Sequence, residues 1–174
     1  MARAAATAKL TFHLCETARG WVGIVFSPHG LRATTLPREM REEALRDVME
    51  MGVTQPAPER EIADIPERVR ALASGKYAEL ALHIDWDGIS PFRRAVLEEA
   101  LRIPPGQTRS YGWLAERVGH PRAARAVGRV MATNPFPLVV PCHRVIGSDG
   151  GLHGYGGGLA MKESLLRAEG ARIP

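Results

Sequence analysis

Apolar and polar positions follow a strand-like pattern at the start of the chain and then change period. Segments 9–15 (KLTFHLC), 21–27 (WVGIVFS) and 31–36 (LRATTL) are rich in β-branched, aromatic and other apolar residues, and the PHG turn before the third offers Gly30 for a positive φ. They predict an antiparallel hairpin or meander. Over 37–52 the spacing lengthens: Met40, Ala44, Leu45, Val48 and Met51 recur at helical intervals between Pro37 at the opening and Gly52 at the close. TQPAPERE breaks the pattern, 65–76 predicts a short helix closing at Gly75, and Leu80, Leu82 and Ile84 alternate as a further strand. The polar stretch DGISP (87–91) holds a glycine and a proline and marks the expected boundary between two domains, 1–87 and 90–174.

The second half reads as helices and then as loop. Ser90 and Pro91 are an N-cap and first helical residue for SPFRRAVLEEALRIPPG, with Phe92, Val96 and Ala100 on one buried stripe. Two short helices, 110–119 and 122–134, joined by the turn GHP, make a helix-turn-helix pattern. At about 100° per residue Arg122, Arg125 and Arg129 fall within roughly 60° of one another, while Ala123, Ala126, Val127 and Val130 point elsewhere. That face suits either water or a polyanion. A glycine-rich loop around Tyr155 leads into a last amphipathic helix, LAMKESLLRAEG, expected to bury Leu159, Met161, Leu165 and Leu166 and to stop at Gly170. The loop lacks the Lys-Ser/Thr order of a phosphate-binding P-loop, which argues against a nucleotide hydrolase. The fold class expected is α/β of the α+β kind: a small antiparallel-sheet domain with a helix, then a mainly helical domain with a helix-turn-helix and an active-site loop.

Composition changes this picture in one respect. The 174 residues are 45% hydrophobic, ordinary for a globular protein, and show neither a membrane-spanning run nor a leader pattern, so an intracellular, cytoplasmic protein is expected. The charge is uneven. Residues 1–89 carry 11 Lys and Arg against 13 Asp and Glu, whereas residues 90–174 carry 12 against 6. The basic excess, nearly all arginine, fits a nucleic-acid surface as well as a solvated one.

The two cysteines, Cys15 and Cys142, are read as reduced thiols. Neither has the CxxC or HxxxH spacing of a zinc site, so no metal is expected. Cys15 fits a buried strand position. Cys142, in NPFPLVVPCHRVIGSDGG, neighbours His143, but in an extended segment adjacent side chains diverge, so the pair alone leaves an inert buried thiol and a nucleophile both open.

The wider string decides between them. PCHRVIG, preceded by SYGWLAERVGHPRAARAVGRVMATN and NPFPLVV and followed by GYGGGLAMKESLLRAEG, closely resembles the O6-alkylguanine-DNA alkyltransferases, or methylated-DNA-protein-cysteine methyltransferases, over about residues 90–171. Residues 1–87 are similar to that family's variable N-terminal domain, ribonuclease-H-like, without a diagnostic motif. The resemblance implies direct-reversal DNA repair: Cys142 takes the alkyl group from O6 of a flipped-out guanine, and O4-alkylthymine is a further candidate substrate. The transfer is irreversible, once per molecule and without a cofactor. His143 would act as base through water, Glu169 would orient it, and Asn134 and Pro141 would shape the turn that delivers the cysteine. Tyr111, Val145, Tyr155 and Gly156 would bind the base, Tyr111 by its hydroxyl and Val145 by its carbonyl. Arg125 would enter the duplex from the minor groove, with Arg122 and Arg129 on phosphates and Ala124 and Met131 also meeting DNA. The partner implied is double-stranded DNA containing O6-alkylguanine, bound by a monomer that in a prokaryote would associate with the nucleoid. No membrane is involved.

Two departures bear on this. Some members have Ser where this chain has Gly156, and a zinc site found in some N-terminal domains has no counterpart here. The alternative is a non-catalytic alkyltransferase-like damage-binding protein, which has another residue in place of the acceptor, and Cys142 argues against it. A helix-turn-helix transcription factor would need neither the glycine loop nor partners for the thiol.

Overall fold

The computed structural model describes residues 9–58, 62, 64–76 and 83–173. Strands β1 (Thr11–Thr17), β2 (Gly20–Ser27) and β3 (Gly30–Thr34) form the expected antiparallel meander. Helix α1 (Arg41–Glu50) follows, and then β4 (Gln55–Pro56), which joins the far side of β1 in parallel and gives the order β3-β2-β1-β4. Beyond β3, Ile84 bridges Leu31, also in parallel. Leu80 and Leu82 of the strand expected there lie outside the described residues.

Helix α1 starts later than the sequence suggests. Its N-cap is Met40, with Glu43 reaching back to the Met40 N–H at 3.1 Å, so Pro37 precedes the helix instead of opening it. Met40 and Met51, expected on the buried stripe, are exposed, because the helix buries only Ala44 and Val48. Val48 packs with Val53 on Val25, while Val22, Ile24 and Phe26 of the same strand point to the other face. Strand β2 is therefore covered on both sides and reads as a continuous apolar run.

The remaining elements are α2 (Ile65–Ala73), α3 (Pro91–Leu101), β5 (Arg109–Ser110), α4 (Tyr111–Arg117), α5 (Ala124–Ala132), a 3₁₀ turn (Cys142–Arg144), β6 (Val145–Ile146) and α6 (Leu159–Ala168). Ser90 and Pro91 do open α3, and Ser110 caps α4 by accepting the Trp113 N–H at 3.0 Å. The main core crosses the expected boundary at 87–91: Ile24, Phe26, Leu31 and Val69 share one cluster with Val96, Leu114, Val127, Phe136 and Leu165. Each such side chain contributes about 1.5–3 kcal/mol relative to exposure. Burying them together ties the sheet to the helices that carry the cysteine. No helix among the described residues is long and apolar enough to cross a membrane.

Two expectations for the surface need correction. Arg122 lies in the turn before α5, whose first residue is Ala124, so the helical arginine face consists of Arg125 and Arg129. Leu159, the first residue of α6, is exposed, and Lys162 takes a buried place on that helix instead.

Candidate active site

The segment from the end of α5 to Cys142 is buried and held by side-chain hydrogen bonds. Asn134 Nδ2 donates to the Val140 carbonyl at 2.9 Å, and its Oδ1 accepts the Phe136 N–H at 3.0 Å. One asparagine thus adds to the few backbone bonds of this irregular stretch, such as that from the Val140 N–H to the Phe136 carbonyl. Strand β3 supplies further anchors: Thr34 donates from its N–H to the Pro135 carbonyl at 2.9 Å and from its hydroxyl to the Pro137 carbonyl at 2.8 Å. The chain then enters a single 3₁₀ turn, with the Cys142 N–H bonded to the Val140 carbonyl and the Arg144 N–H to that of Pro141. Cys142 and His143 therefore sit on a tight turn and not in an extended strand.

After the turn, β6 pairs in parallel with β5, Val145 against Arg109 and Ile146 against Ser110. Tyr111 directly follows β5, so this short ladder fixes the first helix of the helix-turn-helix beside the cysteine.

His143 is buried, and its Nε2 donates to Glu169 Oε1 at 2.9 Å. Arg144, absent from the sequence reading, grips the same carboxylate from the other side, Nε to Oε2 at 2.9 Å and Nη2 to Oε1 at 2.8 Å, and spends Nη1 on the Ile103 carbonyl. Burial alone would raise the Glu169 pKa, yet the bonds from His143 and Arg144 carry it down to about 2. Glu169 is an anion at neutral pH. Burial lowers the His143 pKa, and the Arg144 and Lys162 charges lower it further against the opposing pull of Glu169, so the imidazole rests neutral. With Nε2 donating, His143 Nδ1 is the basic atom, and it is buried without a hydrogen-bond partner among the described residues.

Burial pushes the Cys142 thiol up, and Asn134, Lys162, its own backbone and Tyr155 pull it part of the way back. The resting group is a thiol. Lys162 was also missed by the sequence reading. It is fully buried, donates to the Val145 carbonyl at 2.6 Å and the Leu152 carbonyl at 2.5 Å, and forms no ion pair among the described residues. Burial lowers its pKa to about 8, with Cys142 the charge that opposes the shift. A signal existed in the sequence: Lys162 stands three and four residues before Leu165 and Leu166, on the apolar stripe of its helix.

Two tyrosines border the thiol. Tyr111 is raised by burial and then by the charge of Cys142. Tyr155 is raised for the same reasons in the same order, and its buried hydroxyl has no partner of good geometry among the described residues. Tyr111 also lines a cleft of about 530 Å³, together with Ala124, Arg125, Gly128, Gly147 and His153, among others. Ala124 and Gly128 leave room there that larger side chains would fill. Arg125 lines the cleft, Arg122 and Arg129 are exposed, and none of the three is ion-paired among the described residues. Met131 is different. At 6% exposure it belongs to the core, which corrects its expected place on the DNA surface.

Of the base-binding group, Val145 has its carbonyl already engaged by Lys162, which leaves one lone pair free. Gly156 is exposed on the loop that follows Tyr155. No three His, Cys, Asp or Glu side chains among the described residues gather as a metal would require.

Residues 91–171 match the family model described as 6-O-methylguanine DNA methyltransferase, DNA binding domain. The chain is 47% identical over 115 residues to a methylated-DNA–protein-cysteine methyltransferase of Mycolicibacterium paratuberculosis, an alignment covering 66% of this chain and 69% of that protein. Among solved structures it is similar to the Mycobacterium tuberculosis O6-methylguanine methyltransferase, with 32% identity, a TM-score of 0.76 and 95% of each chain covered. It is also similar to the Mycobacterium tuberculosis OGT solved in complex with DNA, with 33% identity, a TM-score of 0.75 and coverage of 94% of this chain and 95% of that one.

Proposed function

The chain belongs to the methylated-DNA–protein-cysteine methyltransferase family, and on that premise we propose that it repairs DNA by direct reversal, moving the alkyl group of O6-alkylguanine to its own Cys142. The observation that carries this reading is the buried set His143, Glu169 and Arg144, joined through one carboxylate, with the buried Cys142 directly before His143 on the same 3₁₀ turn.

The helix-turn-helix meets the minor groove of double-stranded DNA, where Ala124 and Gly128 permit a close approach. Arg125 fills the gap left when the damaged base swings out, and Arg122 and Arg129 contact phosphates. In the pocket the base is held by Tyr111, by the free lone pair of Val145 and by the loop around Tyr155 and Gly156. His143 takes the thiol proton through water at Nδ1 while Glu169 balances the imidazolium that forms. The thiolate attacks the alkyl carbon, the S–C bond forms as the C–O6 bond breaks, and the released electron pair returns to the guanine, which is then reprotonated. Lys162 holds positive charge near the sulfur while it is anionic.

The product is a thioether with no ready leaving group, so each molecule acts once. The protein works as a monomer in the cytoplasm. Residues 90–174 bind DNA and accept the alkyl group, and residues 1–87 brace them. Transfer from an excess of labelled O6-methylguanine duplex should stop at one equivalent per protein. Turnover beyond one equivalent would contradict the reading.

A further inference from the structure

Two residues at the end of β3 reach both segments that border Cys142. Thr34 holds the Pro135 and Pro137 carbonyls and so suspends the segment that leads into the cysteine. Leu36, two residues later, lies against the loop on the far side of Tyr155. A Cβ added to Gly156 would come within 3.2 Å of Leu36 Cδ1, closer than ordinary van der Waals contact. The next residue is confined from another direction, since a Cβ on Gly157 would meet Met161 Sδ at 2.5 Å. The loop thus has Met161 of α6 behind it and Leu36 beside it, and it begins at Tyr155, whose hydroxyl neighbours the thiol.

We infer that Leu36, from the N-terminal half of the chain, sets how large an alkyl group the acceptor site admits. This rests on the alkyl-transfer reading above and adds a determinant outside residues 90–174. A methyl group needs no movement of the loop. A bulky group beside Cys142 has to displace Tyr155 and Gly156, and the leucine side chain stands where Gly156 would go. Packing of this density responds to changes of a single methylene, and one methylene of room in an apolar pocket alters discrimination by about tenfold or more. Leu36 is only partly buried, so its replacement opens space without hollowing the core.

The test compares the full chain with its Leu36→Ala and Leu36→Trp variants. Each is reacted with duplex DNA carrying either O6-methylguanine or O6-benzylguanine, and the ratio of the two second-order rate constants is read. The methyl rate in each preparation corrects for the fraction of active protein. The ratio of benzyl to methyl should rise about tenfold in Leu36→Ala and fall about tenfold in Leu36→Trp. An unchanged ratio in a variant that transfers methyl overturns the inference and leaves the alkyl-transfer reading standing. Absence of transfer by the unmodified chain as well overturns both.

Discussion

His143 and Glu169 are joined by a 2.9 Å hydrogen bond across 26 residues of sequence, and each side chain is only 2% exposed. A bond this dry fixes the tautomer of the imidazole and leaves Nδ1 as its basic atom. Replacing Glu169 by Gln removes the charge that balances a protonated His143. Alkyl transfer should slow by about 10²-fold or more, and because Arg144 loses its buried partner, stability should fall by about 3 kcal/mol. Single-turnover rates and urea midpoints of the two proteins check both effects. An unchanged rate would remove Glu169 from the proton path.

The same pair predicts sensitivity to acid. The folded pKa of Glu169 is depressed to about 2, so its contribution to stability is complete above the ordinary carboxylate range and is lost as pH falls toward 2. His143 is depressed as well, so it too contributes above its ordinary value and costs stability once acid forces a proton onto it. Both act in the same direction. Urea midpoints should fall progressively below about pH 7, and from the ordinary carboxylate range downward, where the Glu169 contribution is lost, they should fall less steeply in Glu169→Gln. Equal slopes in the two proteins would contradict the assignment.

Lys162 is the buried cation nearest to the question of how the thiol ionises. In Lys162→Met the charge that favours the thiolate is gone, and the pH at which transfer reaches half its maximal rate should move upward. The readout is a pH–rate profile taken under single-turnover conditions. A slower rate with an unmoved profile would give Lys162 a purely structural role through the Val145 and Leu152 carbonyls.

Asn134 holds the approach to Cys142 by two bonds. Asn134→Ala leaves the Phe136 N–H without its partner and the Val140 carbonyl with the Cys142 N–H alone, and should cost about 1–3 kcal/mol. Thermal or urea unfolding measures the loss. A variant as stable as the parent would mean that Thr34 and the packing of Phe136 suffice to hold the segment.

Arg125 tests the DNA side. Arg125→Ala should weaken binding and slow transfer on duplex DNA more than on a single strand. If it reacted at the normal rate on a duplex, α5 would not be the helix that opens the base stack.

Much of this arrangement is legible along the chain because local chemistry and the fold agree. Ser90 and Pro91, the glycine turn at 119 and the pairing of His143 with Glu169 all hold in three dimensions. The failures have physical causes. Helical spacing assigns Met40, Met51 and Leu159 to a buried stripe, but all three sit at helix ends beyond the last packed turn. Arg122 shares an angle with Arg125 only if the helix begins early, and the turn runs through it. Arg144 and Lys162 read as surface charges because arginine and lysine usually are. Their burial follows from tertiary partners, a carboxylate 25 residues away for Arg144 and two carbonyls for Lys162. The brace from Thr34 to Pro137 spans 103 residues and has no local signature at all.

The proposed acceptor of the alkyl group is Cys142. The full chain is incubated with duplex DNA carrying O6-methylguanine, digested and weighed peptide by peptide. The account predicts a gain of about one methylene on the peptide holding Cys142, with Cys142→Ala bound to the same DNA and unchanged in mass. An unaltered Cys142 peptide from a protein that binds the damaged duplex would contradict it and would make the chain a damage-binding protein.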